Sequence, residues 1–297
     1  MATAFCPAHI TGFFKAELSK KDSKQLGSLG AGFSIEKGVK TTVTIREKTK
    51  HDISNFTIKV NGFESGDMRV SEVVLSKFST EGKFVDIIHE IDVPVGYGFG
   101  CSAAVALSLS IALNDALKSK LSKIEVAQIA HDVEIECKTG LGDVLASYHG
   151  GFEIRDKPGA PGIGHVQKIN LNKISIIMIC FSPISTSKFI KERLSQINGL
   201  GGKMVNELLE SKNYEHFQEM SLEFAKYVNV MTPRMQKVVD ELSSNNIKCG
   251  IALFGETIFS MIPKEQESKV LKILEKFSDG IIIKSKLDDV GARILNN

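Results

Sequence analysis

Over the first hundred residues, apolar and polar positions alternate with the two-residue period of β-strands. "TAFCPAHITGFF" (3–14) opens the chain, and "VKTTVTIRE" (39–47) alternates β-branched with polar residues. "NFTIKVNGF" (55–63) is a further strand running into an Asn-Gly turn, and a glycine-rich "GSLGAGFSIEKG" (27–38) lies between the first two. The spacing becomes helical in "SEVVLSKFS" (71–79) and returns to a strand in "KFVDIIHEID" (83–92), which delivers the chain to "GYGFG".

From Ser102 to Leu117 apolar residues occupy most faces of the predicted helix, which predicts burial. The next helix, within "SKIEVAQIAHDVEIECKTG", starts with Ser122 as N-cap and Glu125 three positions on, a capping box, and stops at Gly140. "GLGDVLASYHGGFEIRD" then predicts a turn, a short helix and a strand. The Pro/Gly cluster "KPGAPGIG" (157–164) predicts a boundary dividing residues 1–157 from 158–297. Beyond it come the strands "HVQKIN" and "KISIIMICF" and a mostly helical region from Ser187 to Ser244. "GIALFGETIFSMI" and "GIIIKSKL" read as strands flanking the helix "KEQESKVLKILEKFS". The pattern predicts an α+β protein with helices over a sheet face.

Composition narrows the function classes. The 37 basic and 35 acidic residues give a net charge of +2, so no broad field would capture nucleic acid or an anionic membrane. A local basic site remains compatible with an acidic small molecule. The five cysteines (Cys6, Cys101, Cys137, Cys180, Cys249) are widely spaced with no CxxC pair, which predicts reduced thiols in a cytoplasmic protein and no zinc knuckle. The longest apolar stretch, Ala103 to Ala112, is too short to span a bilayer.

The chemistry concentrates at "PVGYGFGCSAA" (94–104). Glycines at alternate positions let backbone N–H groups converge on a small volume, and a helix beginning there adds the positive end of its dipole. The P-loop pattern GxxxxGK[ST] is absent; "GLGGKM" (199–204) lacks the hydroxyl residue after its lysine. The dinucleotide fingerprint fails because Gly100 follows Gly98 by two positions instead of three. A protein-kinase loop would require HRD and DFG elements, which are missing. Two other readings stay open: a plain strand-to-helix corner, and a degenerate nucleophile elbow with Ser102 attacking and His149, His165 or His216 in support.

"PVGYGFGCSAA" resembles the second motif of the GHMP small-molecule kinases, PxGxGxGSSAA, with Cys101 in place of the first serine. "FCPAHITGFF" (5–14) resembles the first motif, and "TGLGDVLASYHGG" (139–151) the segment that carries the catalytic aspartate. "CPAHITGFF", "GSLGAGFSIEKGV" and "GDV…GG" in this order resemble one branch in particular, the archaeal pantoate kinases, over essentially the whole chain. The third superfamily motif is poorly preserved, with only Gly250 and Gly255 kept.

The resemblance implies a two-lobed fold with mixed and antiparallel sheets covered by helices and the active site between the lobes. It implies ATP-dependent phosphorylation of the pantoate hydroxyl to 4-phosphopantoate on the route to coenzyme A, with Mg²⁺ as cofactor. A mevalonate- or homoserine-class kinase, or an inactive nucleotide-binding regulator, is the alternative; family habit suggests a homodimer. The phosphate-binding set is then Pro94, Gly96, Gly98, Phe99, Gly100, Cys101, Ser102 and Ala103. Ser102 and Glu134 fall to the metal, with Asp132 and Glu136 competing for the role. Asp143 is the catalytic carboxylate, against the simpler reading of a helix N-cap. His9 takes the position where many members carry Lys or Arg, with Lys15 further on, to orient the alcohol or, when protonated, hold a carboxylate. Thr11 lines the same pocket, Gly27, Gly30 and Gly32 allow close approach of a small acid or serve tight turns, and Arg155 and Lys188 are possible carboxylate partners.

Overall fold

The computed structural model describes residues 1–63, 66–184 and 186–295. Its frame is one long antiparallel pair: β1 (Ala2–Glu17) runs the length of β2 (Gly27–Glu47), with register shifts at Pro7/Ala8 and Thr11/Phe13. β3 (Phe56–Gly62) and β4 (Lys83–Ile91) extend the sheet, β4 antiparallel to β2 and β3 parallel to β4. The helix α1 (Arg69–Ser76) connects them. The helices α2 (Cys101–Leu117), α3 (Lys123–Cys137) and α4 (Asp143–His149) follow. β5 (Phe152–Lys157) then pairs with the glycine-rich start of β2, and β6 (His165–Ile169) with β5.

The second sheet comprises β7 (Ile174–Pro183), β8 (Gly250–Ala252), β9 (Gly255–Pro263) and β10 (Ile281–Ser285), in the order β10-β7-β9-β8. Its helices are α5 (Thr186–Ser211), α6 (Tyr214–Tyr227), α7 (Pro233–Ser244) and α8 (Glu267–Leu274). A last strand, β11 (Arg293–Leu295), returns to the first sheet beside β1. Sheet membership therefore changes after Ile169, beyond the Pro/Gly stretch, which forms the β5–β6 turn.

Local chemistry explains the elements. Ser122 and Glu125 form the capping box, each side chain accepting from the other's backbone N–H. α3 stops at Cys137, before the expected Gly140, because Lys138 turns left-handed with φ 57°. "GIALFGETIFSMI" is two strands, not one, broken at Leu253–Phe254, where Phe254 adopts φ 68°. "GLGGKM" lies inside α5, where Gly201 abuts the Phe14 carbonyl; a side chain there would hold the helix off β1.

β1 packs against α2 on one side and against α5 and α6 on the other, which accounts for its nearly unbroken apolar run. Phe33, Phe152, Phe217 and Phe259 are fully buried and bridge the two sheets, with Phe33–Phe259 centroids 5.0 Å apart and Phe152–Phe217 5.1 Å apart. Each such ring contributes roughly 2–3 kcal/mol by burial. A strand walled in by helices cannot leave polar side chains unpaired. His9 and Thr11 sit in the middle of β1, and their partners define the site.

Candidate active site

Gly96, Gly98 and Gly100 all take positive φ (86°, 86° and 58°), a conformation that costs a side-chain-bearing residue about 1–2 kcal/mol each. Backbone bonds fix the loop on both sides. His9 N donates to the Phe99 carbonyl at 3.1 Å, Ile184 N to that of Gly96 at 2.9 Å, and Thr257 Oγ1 to that of Tyr97 at 2.8 Å. The loop is thus clamped between β1 and the ends of the inner strands β7 and β9 of the second sheet, with the N-terminus of α2 at its end.

This loop walls a cavity of about 440 Å³, a size suited to a small-molecule ligand. One end is largely apolar, with Val60, Val70, Ile91 and Val95, and carries Asp67, Ser71 and His89 as well. The other presents Gly96 to Ser102 and Asp143. Of the residues predicted for the loop, Gly96, Gly98, Phe99, Gly100, Cys101 and Ser102 reach the cavity, while Pro94 and Ala103 are buried behind it. Burial pushes the Cys101 thiol up to about 12, so it stays protonated. Among the described residues no histidine hydrogen-bonds to Ser102, which leaves the nucleophile-elbow reading without a base.

Asp143 sits at the first turn of α4 without capping it, since its carboxylate is used elsewhere. Its Oδ1 accepts from His9 Nδ1 at 2.9 Å and from Thr11 Oγ1 at 3.4 Å. The other ring nitrogen, His9 Nε2, donates to Glu153 Oε1 at 3.0 Å. With a carboxylate on each nitrogen, both carry protons. Burial works against that charge, but the two carboxylates outweigh it and raise the pKa of His9. His9 has no N–H left for a substrate, so it acts on the site through Asp143. Burial would raise the Asp143 carboxyl, and the hydrogen bond and charge of His9 reverse this, with Arg155 helping, so its pKa is lowered.

Arg155 and Glu153 are fully buried and bonded to each other, the guanidinium also reaching Thr11 Oγ1 at 3.4 Å. Its Nε has no partner among the described residues. The glycines of β2 make this cluster possible. A Cβ on Gly32 would lie 2.5 Å from His9 Nε2, and one on Gly30 would lie 2.7 Å from an Arg155 nitrogen. They sit in a strand and admit side chains of the site; neither forms a tight turn. Gly142 likewise leaves room for Ser28 Oγ and Arg155.

Of the three candidate metal-binding acids in the second half of α3, Glu134 alone turns inward. Asp132 accepts from Ser23 Oγ at 2.6 Å, and Glu136 pairs with Lys77 at 2.7 Å on the surface. Neither Glu134 oxygen, both buried, makes a well-formed hydrogen bond among the described residues, although the Val144 backbone N–H bears on the carboxylate, and a Cβ on Gly140 would crowd Glu134 Oε1 and Asp143 Oδ2 together. Burial, then repulsion from Asp143, raises the Glu134 carboxyl well above the usual range. Lys188 is exposed on α5, and Lys15 lies against Gly202 of the same helix. A second, narrow cleft lies across Asp143 from the main cavity. It is lined by Thr11, Ser28, Gly140, Gly142, Asp143 and Phe254. Thr11, Asp143 and Phe254 line both.

Glu153 escaped the sequence reading. The signal for it was faint: Glu153 and Arg155, two apart and alternating with the apolar Phe152 and Ile154, share one face and so call for a buried pair.

The fold, and a glycine loop opening a helix onto this cavity, are those of the GHMP kinases; residues 68–151 match the family described as the GHMP kinases N terminal domain. The chain is 34% identical over 282 residues to the pantoate kinase of Methanocaldococcus jannaschii, covering 91% of this chain and 96% of that one. It is 28% identical over 275 residues to the pantoate kinase of Thermococcus kodakarensis, covering 91% of each. A solved structure described as a phosphotransferase related to the CoA biosynthesis pathway superposes with a TM-score of 0.88 at 26% identity, over 98% of this chain and 97% of that one. This chain belongs to the pantoate kinase family.

Proposed function

We propose that this protein transfers the γ-phosphoryl group of ATP to the primary hydroxyl of pantoate, giving 4-phosphopantoate and ADP for coenzyme A synthesis. One observation carries the reading. Asp143, its Oδ1 fixed by His9 and Thr11, stands on the wall shared by a nucleotide-sized cavity and a second cleft lined by Ser28 and Gly142, behind which Arg155 is buried. Donor and acceptor would meet at that carboxylate. The second cleft measures about 10 Å³, smaller than any hydroxy acid, so acceptor binding displaces part of its wall.

In this reading the apolar end of the cavity takes the base, and the backbone N–H groups from Gly96 to Ser102 hold the phosphates. Most of the nucleotide site comes from residues before Lys157, and the Leu253–Phe254 corner between β8 and β9 closes it. Arg155, with its free Nε and Ser28 close by, offers the acid's carboxylate a buried cation. The acceptor oxygen forms a bond to the γ-phosphorus as the bond to the β–γ bridging oxygen breaks. Its proton leaves through Asp143. A carboxylate whose pKa is lowered is a weak base. Asp143 therefore chiefly aims the hydroxyl, which suffices for a loose phosphoryl-transfer transition state.

The residues also fit Mg²⁺. Glu134 carries two buried oxygens with no well-formed hydrogen bond among the described residues, and Ser102 stands at the start of α2. Among the described residues no cluster of three or more His, Cys, Asp or Glu side chains could hold a metal by itself. One or two protein ligands, with phosphate and water completing the shell, is how Mg²⁺ is commonly bound beside nucleotides. Bound there, Mg²⁺ would neutralise phosphate charge. Among the described residues no helix is long and apolar enough to cross a membrane.

The test is ADP release with Mg·ATP across pantoate, mevalonate, homoserine, shikimate and no acceptor. Turnover with pantoate is the expected result. Turnover with another alcohol alone would keep the mechanism and move the substrate, and no acceptor-dependent ADP from ATP-bound protein would overturn the kinase reading.

A further inference from the structure

The glycine loop forms one wall of the cavity. The end of α3 forms another, where Cys137, Lys138 and Thr139 reach it. Neither Lys138 nor Thr139 is accounted for by the roles assigned above. Lys138 is exposed, and its ammonium makes no ion pair or hydrogen bond among the described residues. Its left-handed backbone alone means little, because Lys118 ends α2 in the same way. What separates Lys138 is its position on the cavity wall, where Lys118 is absent. Thr139 supplies an independent observation: its Oγ1 is buried and has no hydrogen-bond partner among the described residues. A buried hydroxyl without a partner is costly unless a ligand satisfies it.

Their place in the chain locates them at the reacting end. Thr139 N donates to the Glu134 carbonyl at 3.2 Å, and at the next residue, Gly140, a Cβ would run into both the Glu134 and the Asp143 carboxylates. An exposed cation and an unfilled hydroxyl next to the two acids answer one chemical need, the negative charge of the terminal phosphates. We infer that Lys138 and Thr139 form a second phosphate-binding arm, Lys138 pairing with the β- and γ-phosphates and Thr139 donating to the γ-phosphoryl oxygens during transfer. This rests on the reading of the cavity as the ATP site.

The experiment measures calorimetric affinity for Mg·ATP, Mg·ADP and AMP, together with kcat, in Lys138→Gln, Lys138→Arg, Thr139→Val and Thr139→Ser. Thermal melting of each unliganded variant checks folding, and Ser102→Ala serves as a marker of the glycine loop. Loss of a charge-assisted bond should weaken Mg·ATP about tenfold or more in Lys138→Gln. The effect on Mg·ADP should be smaller and on AMP absent, with Lys138→Arg restoring most of it. Thr139→Val should lower kcat about tenfold with ADP affinity unchanged, and Thr139→Ser should recover it. Variants that fold and keep both ATP affinity and kcat within twofold would overturn the arm. If Ser102→Ala still weakened ATP, the cavity reading would stand without it. Wild-type protein that binds no nucleotide would overturn both.

Discussion

Two glycine-rich stretches meet at the site and use glycine for opposite reasons. In the loop at 96–100 the requirement is first conformational: all three glycines hold positive φ, and a Cβ on Gly100 would meet nothing nearer than 3.3 Å, although one on Gly98 would also strike the Leu253 carbonyl at 2.5 Å. In β2, Gly30 and Gly32 lie in ordinary strand geometry, and the requirement is empty space, filled by the Arg155 guanidinium and the His9 imidazole. In the proposed function the first shapes backbone donors around the phosphates. The second admits the charged side chains that hold Asp143. Identical composition therefore supports binding in one place and charge placement in the other, and substitutions can separate the two.

Gly32→Ala should have the largest effect. Its methyl would strike the Ile10 carbonyl and the His9 ring, costing about 3 kcal/mol as overpacking in a rigid core. It should also lower kcat by on the order of a hundredfold through a displaced Asp143. A denaturant midpoint and activity near wild type would break the comparison. Within α5 the same contrast recurs: Gly201→Ala should cost about 2 kcal/mol against the Phe14 carbonyl, whereas Gly199→Ala faces only the Tyr227 hydroxyl and should be near neutral. Chemical denaturation of the two variants reads the difference.

The crowding of acids offers a further test. Burial, then Asp143, raises the Glu134 carboxyl, so the folded chain holds a proton that the unfolded chain releases above about pH 4.3. The stability this group contributes is present below that pH and is lost as pH rises through the raised value. Glu134→Gln removes that loss. The unliganded variant should melt a few degrees (about 2–6 °C) above wild type at pH 8, with a smaller gap at pH 5, while turnover falls. A variant that melts lower at pH 8 would mean that Glu134 is paired in the free protein. A smaller effect than that of Gly32→Ala should come from the loop, where Gly100→Ala costs about 1 kcal/mol and Gly100→Asn less, because asparagine tolerates left-handed backbone. Equal losses for the two would show that space, not φ, governs there as well.

Much of this was legible in the sequence because local chemistry carries it. The strand and helix periods, the Ser122–Glu125 box and the PVGYGFGCSAA loop are all encoded within a few residues. Asp143 and Glu134 were readable through family motifs, and the structure brings Glu134, not Asp132 or Glu136, beside Asp143. What stayed hidden depends on contacts distant in sequence. Glu153 becomes a partner of His9 only because β5 pairs with β2, which pairs with β1, across 144 positions. The break at Phe254 depends on the loop it packs against, where Gly255 abuts Tyr97, and no local turn signal announces it. The Pro/Gly cluster was a real turn, but a turn does not say which sheet the next strand joins.

The central claim is that Asp143, held by His9, aims the acceptor hydroxyl. The most direct measurement is single-turnover phosphorylation of pantoate by Asp143→Asn, beside its affinity for Mg·ATP. The account predicts transfer slowed by on the order of 10²–10⁴-fold with ATP binding within a few-fold of wild type. Transfer at the wild-type rate would contradict it.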